Sequence, residues 1–239
     1  MKVLLLAVCG IYLFGAFRRS LFMTALAGEL VYLGIRGVSM GRLPLVGPGD
    51  TLLFFSASVG LMALPFLFAS ALKDSATFSW STGLLAALLA LLALPFGSFN
   101  MPLPPVLRTY WFELHVALAF FAYALFGIGA LLGGMYLARE ERPLLDLQYR
   151  AELTGYSFFS ASMVSGGIWG YYAWGTYWLW TPKELWTSIL WVFYSIYLHL
   201  RFRGGRSDRL MAWCGIAGFG VALFTYLGVS MLMKSSHSF

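Results

Sequence analysis

Apolar positions along this chain do not alternate with polar ones but gather into long runs separated by short polar breaks. Eight such runs occur, at about 3–17, 21–37, 51–71, 79–97, 111–138, 156–174, 184–200 and 210–233. Each is long enough, or nearly so, to cross a hydrocarbon core of about 30 Å. A chain that spans lipid must satisfy its backbone internally, and runs of this length do so as helices. The pattern predicts an all-α, polytopic membrane bundle of about eight transmembrane helices, with residues 1–239 as a single integral membrane domain. The opening run, MKVLLLAVCGIYLFGAFRRS, competes with a signal peptide. Its basic n-region is one lysine, no small-residue cleavage pattern follows, and its arginines lie on the wrong flank, so it is read as a span.

Lysine and arginine positions orient the bundle. The breaks after spans 1, 3, 5 and 7 carry ten: Arg18, Arg19, Lys73, Arg139, Arg142, Arg150, Arg201, Arg203, Arg206 and Arg209. The opposite side carries six: Lys2, Arg36, Arg42, Arg108, Lys183 and Lys234. Both termini are therefore expected outside the cytoplasm, together with the segment 169–183 between spans 6 and 7. Composition agrees with a membrane protein, since 60% of residues are apolar and 11% charged, against roughly 25% charged in soluble domains. The net charge of +6 sits mainly in breaks beside spans and is read through topology, not as a nucleic-acid footprint. Phosphate-loop, HExxH and serine-nucleophile motifs are absent, which argues against nucleotide hydrolysis and proteolysis. Cys9 and Cys214 fall inside spans and form neither CxxC nor CxxCH, so the chain is not itself a c-type cytochrome; both read as packing residues.

The segment WGYYAWGTYWLWTPKELW concentrates the aromatic chemistry: six of nine tryptophans lie between Trp169 and Trp191. Trp169, Trp174, Trp178, Trp180 and Tyr177 form either an interfacial aromatic belt or a platform for a planar ligand. Three histidines complete the inventory. His115 lies about one turn inside span 5 and His237 follows span 8, both at the outer face, whereas His199 closes span 7 on the opposite side. Fifteen positions of helix separate Glu184 from His199, about 22 Å, so His199 shares no small ligand with the outer pair. Two imidazoles beside flat aromatic faces suit a large planar cofactor with axial nitrogen ligands, and haem fits that description. Arg42, Arg108 or Lys183 would then meet its propionates. The TPKE segment is a helix start, with Thr181 as N-cap, Pro182 at N1 and Glu184 at N3. Glu29, near the middle of span 2, is a candidate for function or for pairing inside the bundle.

The run SGGIWGYYAWGTYWLWTPKELWTSILWVFYSIYLHLR closely resembles the tryptophan-rich (WWD-type) signature of the CcsA, or ResC, family of system II cytochrome c biogenesis. Its PKE continuation and YLH ending resemble CcsA more than the related CcmC. The likeness is specific across about 156–203, good around His115 and the terminal HS, and suggestive in GRLPLVGPGDTLLFFS. It implies haem transport and presentation at the outer face of the cell's inner membrane, and attachment to apocytochrome c. This would be the work of a component of a holocytochrome c synthase acting with a CcsB (ResB) partner and a thiol-reducing, thioredoxin-like protein. The implied cargo is haem b, with His115 and His237 as outer ligands and His199 as an inner one. A HemX-like haem-binding protein that regulates tetrapyrrole synthesis is the alternative. One departure stands out: Thr181 occupies the position of a family aspartate.

Overall fold

The computed structural model describes residues 2–14, 19–72, 76–96, 102–204 and 207–232. Among them the chain is helical throughout, without strands, and the expected helices appear in order. They are α1 (Lys2–Phe14), α2 (Arg19–Met40), α3 (Pro48–Leu67), α4 (Ala76–Ala93), α5 (Tyr110–Arg139), α6 (Arg142–Trp174), α7 (Pro182–Arg203) and α8 (Asp208–Leu232). Helices α2, α3, α4, α5 and α8 are both long and apolar enough to cross a membrane. Helices α6 and α7 have the length but carry more polar residues. The described part of α1 is 13 residues, about 20 Å at 1.5 Å per residue. This is a multi-pass helical membrane bundle.

Two compact units make up the chain, Met1–Pro102 and Leu103–Phe239. In the first, α3 packs on α4, and α1 lies against α4 and α2. Glycine lets the backbones close: a Cβ on Gly83 would sit 2.8 Å from the carbonyl oxygen of Tyr12. Glu29 is fully buried there, and the Tyr12 hydroxyl donates to its Oε2 at 2.9 Å. Of the two roles open to Glu29, the structure shows the internal pairing. Near the α2–α3 connection, Arg36 donates through Nε and Nη2 to the two carboxylate oxygens of Asp50, at 2.5 and 2.7 Å.

In the second unit α5 and α6 form a long antiparallel pair, α8 packs along α5, and α7 lies against α6 and α8. The α5–α6 connection is short because Glu140 turns the chain in the left-handed region, at φ 56°. Helix α6 starts well before the expected span, at Arg142, so Arg150 lies in a helix and not in a loop. Its buried residues Leu144, Leu145, Gln148, Ala151, Glu152, Gly155 and Phe159 recur at spacings of three and four. That is the stripe of a helix buried on one face, which a reading weighted to continuous apolarity passes over. Ion pairs mark this end of the unit: Arg201 with Asp146 at 2.8 Å, Arg209 with Glu140 at 2.9 Å and Arg142 with Asp208 at 3.5 Å. Such exposed pairs stabilise little, but they place the α5–α6 and α7–α8 connections at one charged end. The aromatic connection between α6 and α7 lies at the other.

Candidate functional site

Helix α5 begins with its own cap. Thr109 Oγ1 accepts from the Phe112 backbone N–H at 3.1 Å, which fixes the first turn before His115. The half-buried His115 ring then meets α6. Its Nδ1 lies 2.8 Å from the Ser162 carbonyl oxygen and 3.1 Å from Ser162 Oγ, and that hydroxyl donates to the His115 carbonyl at 2.8 Å. A carbonyl oxygen only accepts, so Nδ1 carries the proton and donates. In the neutral ring the lone pair is then on Nε2, the nitrogen available to a metal. The ring fits because residue 166 is glycine: a Cβ there would stand 2.5 Å from Nδ1.

Aromatic rings continue outward from the imidazole. Trp169, almost fully buried, stacks near-parallel on His115, with centroids 6.2 Å apart and 17° between planes. Its indole N–H donates to the Val106 carbonyl at 2.8 Å, pinning the segment before α5. Trp174 meets Trp169 edge-on at 4.9 Å and Phe112 lies 5.2 Å from it. Helix α6 ends when Gly175 takes φ 73° and its N–H reaches the Tyr171 carbonyl at 2.9 Å. Residues 169–174 of the expected loop are thus the last turns of α6, and Pro182 and Lys183 already belong to α7.

The connection that remains, 175–181, folds back along α6. A Cβ on Gly170 would lie 3.3 Å from the Thr176 carbonyl, and one on Gly167 would lie 3.5 Å from the Tyr177 carbonyl. Tyr177 stacks on Tyr171 at 4.8 Å, and Trp178 meets Trp180 at 6.4 Å. The expected aromatics therefore fall into two sets. His115, Trp169 and Trp174 form a packed inner layer, whereas Tyr177, Trp178 and Trp180 form an outer one, with Trp180 71% exposed. Trp180 stands in the left-handed region, at φ 57°. Glu184 holds that turn: its Oε2 accepts from the N–H groups of Leu179 at 3.0 Å and Thr181 at 2.8 Å. Thr181 Oγ1 accepts from Glu184 N–H at 3.3 Å, so the expected reciprocal cap is present.

Beside this cap, Lys183 donates to Ser230 Oγ at 3.1 Å, joining the start of α7 to the end of α8. Helix α8 widens there into a π turn over Phe224–Gly228, and Trp186 packs on Phe224 at 4.5 Å. Interruptions of this kind recur at functional sites. Among the candidate cations, Arg108 is exposed just before α5 and donates to the Leu103 carbonyl at 2.9 Å. Arg42 belongs to the first unit. His199 is exposed near the charged end of α7. His237 lies outside the described residues. No group of three or more His, Cys, Asp or Glu that would hold a metal ion occurs among the described residues. Ser162 and Gly166 escaped the sequence reading, because their part depends on the register of α6 against α5.

A multi-pass helical bundle carrying a tautomer-fixed imidazole beneath layered tryptophans defines the class. Residues 50–237 match the cytochrome C assembly protein family, and the chain belongs to that family. It is 33% identical to a cytochrome c biogenesis protein CcsA of Prochlorococcus marinus (strain MIT 9515), over 62% of this chain and 62% of that protein. The CcsA of Chlamydomonas reinhardtii is also 33% identical, over 66% of this chain and 50% of the relative. That of Guillardia theta is 26% identical over 87% and 80%. The match thus spans between half and two thirds of the length of the first two relatives. The solved structure of cytochrome c heme lyase CcmF shares the fold, with a TM-score of 0.67 at 17% identity, over 98% of this chain and 45% of that one.

Proposed function

We propose that the chain takes part in cytochrome c maturation as a haem-presenting component at the outer face of the membrane, working with a CcsB-like partner. The observation that carries this reading is His115, whose Nδ1 is committed to Ser162, whose Nε2 is left as the basic nitrogen, and whose ring stacks on Trp169. Such a nitrogen suits an iron that accepts axial imidazole. His237 is the proposed second outer ligand and His199 an inner one, and the excess of Lys and Arg on the other side supports an aromatic connection outside the cytoplasm. Haem b is the proposed cargo, and its vinyl groups supply the carbons that join cysteine thiols in a c-type cytochrome.

The residues of this chain do the positioning. His115 would hold the iron, the buried Trp169 and its neighbour Trp174 would keep its ring in place, and Tyr177, Trp178 and Trp180 would offer flat apolar faces to the macrocycle and exclude water. Arg108 and Lys183 meet the propionates. An apocytochrome whose CxxCH thiols are kept reduced by a thioredoxin-like protein then docks outside the membrane. The family likenesses named above support this reading, as does the clustering of the aromatics at the end opposite the charged connections.

Purification from haem-replete membranes, with oxidised and reduced spectra, tests the proposal. His115→Ala and His237→Ala are each expected to lose haem and cytochrome assembly, with partial recovery on adding imidazole. Unchanged spectra and assembly in both variants would sink the bis-histidine site. Haem binding without cytochrome assembly would instead move the reading to a HemX-like regulator.

A further inference from the structure

At a level of the second unit away from the aromatic site, four helices close around a carboxyl group that the proposed haem chemistry does not use. Glu152 and Gln148, one turn apart on α6, are both fully buried. Gln148 Nε2 donates to Glu152 Oε1 at 3.1 Å and to the Ala212 carbonyl at 3.3 Å. Helix α7 contributes the buried Tyr194 and Tyr197, and the Tyr197 hydroxyl adjoins the Glu152 carboxyl. Helices α5 and α8 contribute glycine. A Cβ on Gly129 would stand 2.9 Å from Glu152 Oε1, one on Gly133 would stand 2.8 Å from Gln148 Nε2, and one on Gly215 would overlap both side chains. The backbones have thus closed directly onto this polar pair.

Gln148 Oε1 and Tyr194 Oη have no protein partner in this space, and Glu152 Oε2 and Tyr197 Oη have at most each other. Buried polar atoms are normally paired, and a group of orphans calls for a ligand. Two of these are hydroxyls able to donate and two are acceptors. The titratable and charged groups around the carboxyl are few. Helix α5 offers glycine, α6 the neutral Gln148, α7 the two phenols, and α8 the thiol of Cys214. Arg201, one turn beyond Tyr197, is engaged by Asp146 and Asp208. A carboxylate without a counter-cation is costly inside a membrane bundle; a proton removes the charge and adds a donor.

We infer that Glu152 is a proton-binding site of the membrane interior, its carboxyl carrying a proton that exchanges with water held by the Gln148, Tyr194 and Tyr197 side chains. Ser162, which orients His115, lies ten residues further along α6, about 15 Å away, and His199 follows Tyr197 by two positions on α7. A proton held between these two levels lets the unit take up or release charge without a metal.

Infrared difference spectroscopy on the full chain in lipid nanodiscs, in H2O and D2O, tests the inference. Wild type is expected to absorb in the carbonyl region of protonated carboxylic acids, with a band that shifts in D2O. Glu152→Gln should remove that band, and Glu29→Gln, at a buried carboxyl of the first unit, should leave it. Tyr194→Phe, Tyr197→Phe and Gln148→Leu should displace the band without abolishing it, which keeps the test sound if the Glu152 variant misfolds. Loss of a carboxylate stretch in place of the acid band in Glu152→Gln would overturn the inference. So would a band that ignores D2O, or one that none of the three neighbouring variants moves.

Discussion

The imidazole of His115 occupies the space that any side chain at position 166 would need. A Cβ on Gly166 would stand 2.5 Å from Nδ1 and 2.7 Å from Cε1, while one on neighbouring Gly167 would meet its nearest atom, the Tyr177 carbonyl oxygen, at 3.5 Å. The first separation forces something to move and the second is ordinary contact. Gly166→Ala is therefore expected to turn the His115 ring out of its bond with Ser162, lowering haem content about as much as His115→Ala does. Gly167→Ala should retain wild-type spectra. Equal haem content in both glycine variants, at equal expression, would show that the ring tolerates displacement.

The outer aromatic layer has its own test. Replacing Trp178 and Trp180 by Leu keeps apolarity but removes flat faces, and Trp174→Leu also takes away the ring packed edge-on against Trp169. Membrane insertion should persist in the triple variant while haem is lost or loosened. The single Trp174→Leu should additionally lower thermal stability, since Trp174 is half-buried and aromatic pairs contribute about 0.5–1.5 kcal/mol beyond burial. Full haem retention in a well-expressed triple variant would return this layer to a membrane-interface belt.

Most of the helical order was legible because lipid demands long apolar runs, and those runs are local. The helix start at Thr181 was legible for the same reason, since a cap is read within four residues. What escaped is non-local or periodic. Residues 142–155 look like a charged loop by mean hydropathy, yet Leu144, Leu145, Gln148, Ala151 and Glu152 fall on one buried face, and with that helix hidden Glu152 was hidden too. His115 stood out by residue type, whereas Ser162 and Gly166 gain meaning only once α5 and α6 are in register. The π turn at Phe224–Gly228 has no sequence signature in an otherwise regular apolar run.

In the first unit the Arg36–Asp50 pair is buried on both sides, with side-chain exposures of 6% and 4%. Removing one partner strands the other charge, which costs about 3–5 kcal/mol, while replacing both by apolar residues of similar volume is often neutral. Arg36→Met and Asp50→Leu should each lower the thermal unfolding midpoint strongly, and the double variant should recover most of the loss. A double variant as unstable as the sum of the two singles would mean that the residues act separately.

Glu184 and Thr181 separate helix capping from loop presentation. Thr181→Ala removes the acceptor of one backbone N–H at the start of α7, a loss of about 1 kcal/mol, while Thr181→Asp keeps an acceptor and should match wild type in stability. Glu184→Ala strips two N–H groups, those of Leu179 and Thr181, which flank the left-handed Trp180. At about 0.5–1.5 kcal/mol for each bond, this variant should be less stable than Thr181→Ala and should also release the turn that displays Trp180. Paired measurements of thermal midpoint and haem content read both effects. The expected order of stability is wild type and Thr181→Asp together, then Thr181→Ala, then Glu184→Ala, with haem falling only in the last. If Thr181→Asp changes haem retention or cytochrome assembly at unchanged stability, position 181 acts on the cargo and not merely on the helix, and the threonine then marks a specialised member of the family.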